Sequence, residues 1–371
     1  MGMPGHRLGA LLLGASLLAG TSCGWKAQER TPRIGYFHGG RTNLIFRAYV
    51  DGDFDRAGVK VDLATRNLFN SEYFPIPHSW DGFLEQMDSV SAGRYGKVTG
   101  IEILRQIEIG NLDAGMVGES SFLQEIARGT PSVAVAALGH DTLEMPGHCI
   151  IFRKGVKVRG PQDMKGLKFC SRRAGPGDEV FLREFLAQEG LDPDKDVQIF
   201  DGVSDPLMEK GLVDGTYDGG YFHLMGVVPL VTEGKAYVYR PLNWARADMS
   251  VALLVYHKDY LAAHRDEIRK LLETYIRRID HEYQLPTDQR VQRRKKGLQM
   301  AESFLGMNYP QCDIPPVVRV DLLEEMQGLL IKHGFLKKAA PIQDFVDNSL
   351  VLEATRNAGF PTDGSYKPKL P

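Results

Sequence analysis

Residues 99–130 read TGIEILRQIEIGNLDAGMVGESSFLQEIARGT, and three elements follow one another within them. The spacing of Ile101, Leu104 and Ile107 puts one apolar stripe on a helix, which Gly110 and Asn111 end. Leu112 to Val117 then reads as a short strand. A second helix begins at once, with Ser121 placed to cap it and Gln124 in capping-box register. A strand that runs straight into a helix delivers Gly118, Glu119 and Ser120 to the helix N-terminus, where unpaired N–H groups and the positive end of the dipole face outward. Such a corner suits a polar or anionic small molecule, and ligands of open α/β sheets sit at the carboxyl ends of strands.

Upstream, Met1 to Gly24 (MGMPGHRLGALLLGASLLAGTSCG) carries one Arg, an apolar run from Leu8 to Ala19, small residues and then Cys23. This reads as an export signal, too short and wrongly flanked for a spanning helix. It resembles a bacterial lipoprotein signal (1–23), which would leave Cys23 as a lipidated new N-terminus. Gly20 stands three before the cysteine where such signals usually carry Leu, so ordinary secretion with cleavage near Ser22 is the alternative. Either way the expected location is the periplasm or the outer face of a membrane.

Lys and Arg number 45 against 47 Asp and Glu, so no broad field attracts a polyanion and no nucleic-acid role is expected. Besides Cys23 there are Cys149, Cys170 and Cys312, an odd set that allows at most one disulfide within the chain. Cys149 and Cys170 fall on strand-like runs (HCIIF and LKFC) and could be neighbours; equally, all three read as buried thiols.

A chain of 371 residues exceeds one typical core, so two lobes are expected. From Thr31 to about His257 the pattern alternates strand and helix, the signature of parallel sheets covered by helices. RIGYF (33–37) is a first strand, Asn43 to Ala57 a helix, and Val59 to Ala64 a second strand. Between Arg66 and Val98 the pattern turns irregular and aromatic, readable as a lid or as surface packing. Ser132 to Leu138 and His148 to Arg153 are strands. A second α/β pattern follows: LKFC, a loop from Ser171 to Gly177, a helix from Asp178 to Gln188, VQIF, a short helix Leu207 to Leu212, and Tyr217 to Phe222. Strands at Ala236–Arg240 and Ser250–His257 precede amphipathic helices to about His333, and the tail from Gly364 reads as disordered.

The segments IGYFHGGRTNLIFRAYVDGDFDRAGVKVDL, IEILRQIEIGNLDAGMVGESSFLQEIARGTPSVAVAAL, VRGPQDMKGLKFCSRRAGPGDEVFLREFLAQEGLDPDKDVQIF and VALLVYHKDYLAAHRDEIRKLLETYIRRID, in this order, resemble the periplasmic solute-binding proteins of ABC importers. The similar group is the one serving nitrate, sulfonates, taurine and thiamine-type pyrimidines. The resemblance implies an α/β, two-lobed type II periplasmic binding protein fold with two crossing strands and a C-terminal helical extension. Lobe one would be 31–145 plus 248–371 and lobe two 146–247. The lobes would close on one small molecule, and the partner would be an ABC permease in the membrane. A monomer without cofactor or catalytic residues is the expectation.

The ligand position implied by the family coincides with four strand ends: Tyr36, Phe37, His38 and Gly39; Gly118, Glu119, Ser120 and Ser121; Gly175, Gly177 and Asp178; and Tyr221, Phe222 and His223. Glycines allow close backbone approach, serines offer hydroxyls, and the aromatics could stack on a planar solute. Asp178, Glu179 and Glu119 would oppose a bare anion unless a cation such as Arg172 or Arg173 intervened. The alternative is that Asp178 and Glu179 merely complement a helix dipole. With the aromatics counted, a planar nitrogen-bearing heterocycle such as a pyrimidine is favoured, with an oxyanion as the alternative.

His38, His140, His148 and His223 fall near the expected cleft, but no HxH or HxxxH pair supports a metal. No nucleophile elbow is present. The fold also resembles pyrimidine-synthesising proteins that consume their own histidine with iron, yet their cysteine-rich iron motif is absent. A sensing module that hands its closed form to a receptor is a third reading.

Overall fold

The computed structural model describes residues 31–36, 43–66, 73–79, 82, 99–142, 147–172, 177–241, 248–285 and 312–366. The stretch expected to be an export signal, with Cys23, and the candidate site residues Phe37, His38, Gly39 and Gly175 lie outside the described residues.

Two mixed sheets divide the chain. The first is built from β1 (Arg33–Gly35), β2 (Asp62–Arg66), β3 (Tyr73–Pro75), β4 (Ala114–Val117), β5 (Ser132–Thr142) and β11 (Asp248–His257), in the order β3-β2-β1-β4-β11-β5. β1 runs parallel to β2 and β4, and β11 antiparallel to β4 and β5. The second sheet holds β6 (His148–Arg153), β7 (Lys168–Ser171), β8 (Gln198–Phe200), β9 (Gly219–His223) and β10 (Ala236–Pro241), in the order β10-β6-β9-β7-β8. The chain passes between the sheets twice, between Thr142 and His148 and between Pro241 and Asp248. This is the two-lobed type II architecture expected from the sequence.

Helices cover both sheets: α1 (Asn43–Val50), α2 (Asp53–Arg56), α3 (Gly100–Glu108), α4 (Glu119–Arg128), α5 (Glu179–Gln188), α6 (Asp205–Asp214), α7 (Leu224–Thr232), α8 (Lys258–Ala263), α9 (Arg265–Gln284), α10 (Val320–Lys332) and α11 (Ser349–Ala358). In α9 the buried positions Ile268, Leu271, Leu272, Tyr275, Ile276, Ile279 and Tyr283 recur at helical spacing, and this stripe packs on α1 and α11. The face away from it is charged, as a surface helix requires.

Several local expectations are corrected. The helix expected from Asn43 to Ala57 breaks at Gly52, whose φ of 74° is left-handed, so α1 and α2 are separate. The second helix of the central stretch starts at Glu119 with Gly118 as its cap and no side-chain cap bond, so Ser121 sits inside the first turn. The side-chain cap lies one helix earlier: Thr99 Oγ1 accepts from Glu102 N at 3.2 Å. On α3 the buried stripe is Ile103, Leu104 and Ile107, with Ile101 half-buried. Tyr366 is no loose tail, since it packs on Phe360 and its hydroxyl donates to Asp280. Of the aromatic insertion, 73–79 is an edge strand and its continuation, tied in by Tyr49, whose hydroxyl donates to the carbonyl of Ile76 at 2.7 Å.

α3 lies unusually close to the first sheet. A Cβ on Gly115 would sit 2.1 Å from Ile103 Cγ2, and one on Gly35 2.7 Å from Leu112 Cδ1. Gly115→Ala therefore forces the helix outward, and overpacking of this kind costs about 1–3 kcal/mol, read as a lowered midpoint in urea unfolding with an unchanged m-value.

The three described cysteines are free and buried. Cys149 and Cys170 share one apolar cluster, but β9 separates β6 from β7, so they form no disulfide. Burial pushes the Cys149 thiol up to about 12 and raises that of Cys170 as well. Ellman's reagent should accordingly leave Cys149, Cys170 and Cys312 unmodified in the native protein and label all three in guanidinium, as peptide mass spectrometry would show.

Candidate functional site at the facing helix starts

Three helices begin at the carboxyl ends of strands. α4 starts from β4 through Gly118, α5 follows β7 with Asp178 as its cap residue, and α7 starts directly from β9 with His223 as its cap residue. Each presents unpaired N–H groups and a positive dipole end. Val117, Phe122 and Leu123 belong to the same contiguous apolar cluster as Val180, Phe181 and Tyr221, a cluster that also contains Leu323, Met326 and Leu330 of α10. The sequence-expected residues Gly118 to Ser121, Gly177, Asp178 and Tyr221 to His223 thus stand on these starts. Ser121 packs close to the start of α3, where a Cβ on Gly100 would lie 2.8 Å from its Oγ.

The charges at the second-sheet corner are internally paired. Arg172, one residue past β7, donates through Nε to Asp178 Oδ2 at 3.1 Å, and its Nη1 lies 3.7 Å from Asp205 Oδ2 at the start of α6. The Asp178 side chain is 6% exposed and that of Arg172 18%. The carboxylate is thus sunk into the helix start, and the arginine side chain is the more exposed of the two. Glu179 accepts from Arg183 Nε at 2.6 Å, one helical turn on, and Arg183 also bonds Asp194 at 2.8 Å. These two carboxylates are engaged by arginines before any solute arrives. Glu119, in the first turn of α4, is 4% exposed.

The aromatics hold inward positions. Tyr36 is 3% exposed and stacked on Phe46 with ring centroids 5.1 Å apart. Successive residues of β9 point to opposite faces: Tyr221 joins the cluster between the sheets, while Phe222 packs behind the second sheet with Cys149, Cys170 and Met208. Tyr221 stacks on His148 at 5.2 Å and 11°, and His148 lies 4.2 Å from the ring of half-buried His223. His148 Nδ1 is hydrogen-bonded to Asp141 Oδ2 at 2.7 Å, so this pair joins the end of the first sheet to the beginning of the second across the first crossing. The sequence reading singled out His148 and passed over Asp141. The signal was the placement of both residues at the two ends of one crossing segment. Among the described residues no group of three His, Cys, Asp or Glu is arranged to hold a metal ion.

Two cavities lie away from these corners in the first-sheet half. One of about 880 Å³ between α1, α2 and α9 is lined by Arg47, Arg56, Arg278 and acidic partners; Asp51 and Asp53 pair with Arg278, and Glu282 with Arg47. The other, of about 590 Å³, lies beside the stacked rings of Tyr256, Tyr260 and His264.

Comparison with solved structures places the molecule in a class. It superposes on the periplasmic aliphatic sulphonate binding protein SsuA from Escherichia coli with a TM-score of 0.63 at 15% identity, over 85% of this chain and 91% of that one. A zinc-bound ligand-binding component of an ABC-type import system from Staphylococcus aureus gives 0.61 at 15% identity, over 88% and 99%. The desulfurization enzyme DSZB gives 0.60 at 12% identity, over 88% and 99%. The fold is therefore that of the periplasmic binding proteins, a scaffold that also carries an enzyme. Residues 100–288, just over half of the sequence, match the family described as NMT1/THI5 like, and the chain belongs to that family. Comparison with curated protein sequences yields no match. No described helix is long and apolar enough to cross a membrane.

Proposed function

We propose that the chain is the extracytoplasmic substrate-binding protein of an ABC importer and that it captures a small organic solute bearing an oxyanion. The solute sits between lobe one (31–145 plus 248–371) and lobe two (146–247). Its anionic end meets the starts of α4 and α5 and the Arg172 guanidinium. The observation that carries this reading is the Arg172–Asp178 pair. It supplies the cation that an anion needs at this corner, and it occupies the carboxylate that a heterocycle N–H would otherwise use. Helix starts favour anions by dipole and by unpaired N–H groups. Closure follows from contacts that the ligand makes to both lobes at once.

A planar heterocycle is the second reading, favoured by Glu119 in the first-sheet corner. Lipid anchoring through Cys23, a monomeric state and docking on a membrane permease complete the proposal. A thermal-shift screen of the mature chain against alkanesulfonates, arylsulfinates, nitrate and pyrimidines tests it. A sulfonate or sulfinate at a hundred times its Kd should stabilise the protein by about 2.7 kcal/mol. A response to pyrimidines alone would overturn the oxyanion reading.

A further inference from the structure

The C-terminal segment does more than cover lobe one. It is fastened there at several points: Pro316 O accepts from Ala137 N at 2.9 Å, Asp347 N donates to Ala134 O at 2.9 Å, and Arg265 pairs with Asp347 at 2.8 Å. From this base α10 lies across α4 and reaches α5 of the second sheet, so one helix touches both helices whose starts form the candidate site. Its apolar residues Leu323, Met326 and Leu330 are fully buried in the cluster that also contains Phe122 from lobe one and Val180, Leu182 and Leu186 from lobe two. At its end, Lys332 Nζ and His333 Nε2 both lie 2.7 Å from Glu184 Oε2 on α5, and Gln188 donates to Glu184 Oε1 at 2.9 Å. Glu184 is 5% exposed. Burial alone would raise its carboxyl, but the hydrogen bonds from Lys332, Gln188 and His333 hold it below the ordinary value.

We propose that α10 is an inter-lobe strap, a third and non-covalent connection beside the two crossings, latched at Glu184, and that it sets how far the lobes part when the site is empty. A rotation that separates the start of α5 from that of α4 must either carry α10 off lobe one, against its fastenings, or break the Glu184 latch. The latch has fewer contacts and so gives first. The apolar part of α10 then acts as the pivot surface. The strap regulates the cleft of the preceding section, yet its geometry can be tested with no ligand present.

The test is a pair of spin labels at the exposed positions Lys60 and Lys195, introduced as cysteines, with the inter-label distance distribution read by double electron–electron resonance in the ligand-free mature chain. The wild-type background should give one narrow population. In Glu184→Gln the fraction at longer distance should rise roughly tenfold, the size expected for losing a charge-assisted contact. Lys332→Met, at a half-exposed site that tolerates the change, should shift it in the same direction and carries the test if Glu184→Gln does not fold. The distributions of folded Glu184→Gln or Lys332→Met staying superimposable on wild type would overturn the strap. Failure of the sulfonate screen with a widened distribution would instead overturn only the ligand reading.

Discussion

Arg172→Gln should lower affinity for the cognate oxyanion ten- to a hundredfold in isothermal titration, the loss expected when one hydrogen bond to a charged group disappears. The cause is local. Arg172 is the cation that neutralises Asp178 beside the start of α5, and its side chain is more exposed than the carboxylate it pairs with. The same substitution removes a guanidinium from a carboxylate that is almost wholly buried, so some loss of stability accompanies it. The double variant Arg172→Gln, Asp178→Asn separates the two effects: the buried charge is gone, stability returns, and affinity stays low. If the double variant binds as the wild type does, the guanidinium takes no part in recognition.

Arg47→Met should give the largest loss of stability of any single change considered. Arg47 Nη1 donates to Glu282 Oε1 at 3.0 Å, and both side chains are 1% exposed, so α1 and α9 are joined by a fully desolvated ion pair. Among the described residues Glu282 Oε2 has no hydrogen-bond partner, and removal of the arginine leaves a buried carboxylate without its cation. Breaking a buried pair from one side costs about 3–5 kcal/mol, which for a chain of this size lowers Tm by roughly 4–6 °C in differential scanning calorimetry. Arg47→Met with Glu282→Leu removes both charges and should recover most of the loss, because a well-packed apolar pair replaces a desolvated one at little cost. A double variant no better than the single one would mean that the pair's geometry, and not its charge, holds α1 on α9.

Much of this architecture was legible in the sequence because it follows from short-range periodicity. The alternation of apolar strands with amphipathic helices located both sheets, and the strand-to-helix junction at Val117–Glu119, one corner of the candidate site, is where the sequence put it. What failed had physical reasons. α7 went unread because LMGVVPLVT is apolar on every side and contains Pro229, so it has no amphipathic stripe to recognise. Tyr36, Tyr221 and Phe222 are proposed ligand contacts whose depth of burial could not be read from the sequence, because aromatic identity says nothing about which face of a strand is buried. Packing against Phe46, His148 and the Cys149–Cys170 cluster decides that. The pairing of Asp178 was half visible, since Arg172 stands six residues away and was named as a candidate cation. The Arg47–Glu282 pair, 235 residues apart, and the reach of α10 from lobe one to Glu184 depend on the finished fold.

The central claim is that one solute touches both corners at once, and hydrogen-exchange mass spectrometry of the mature chain with and without the ligand found by thermal shift tests it most directly. Simultaneous protection of the amides at 118–122 and 177–181 is the predicted result. Protection confined to one of these segments, or appearing only elsewhere, would contradict it.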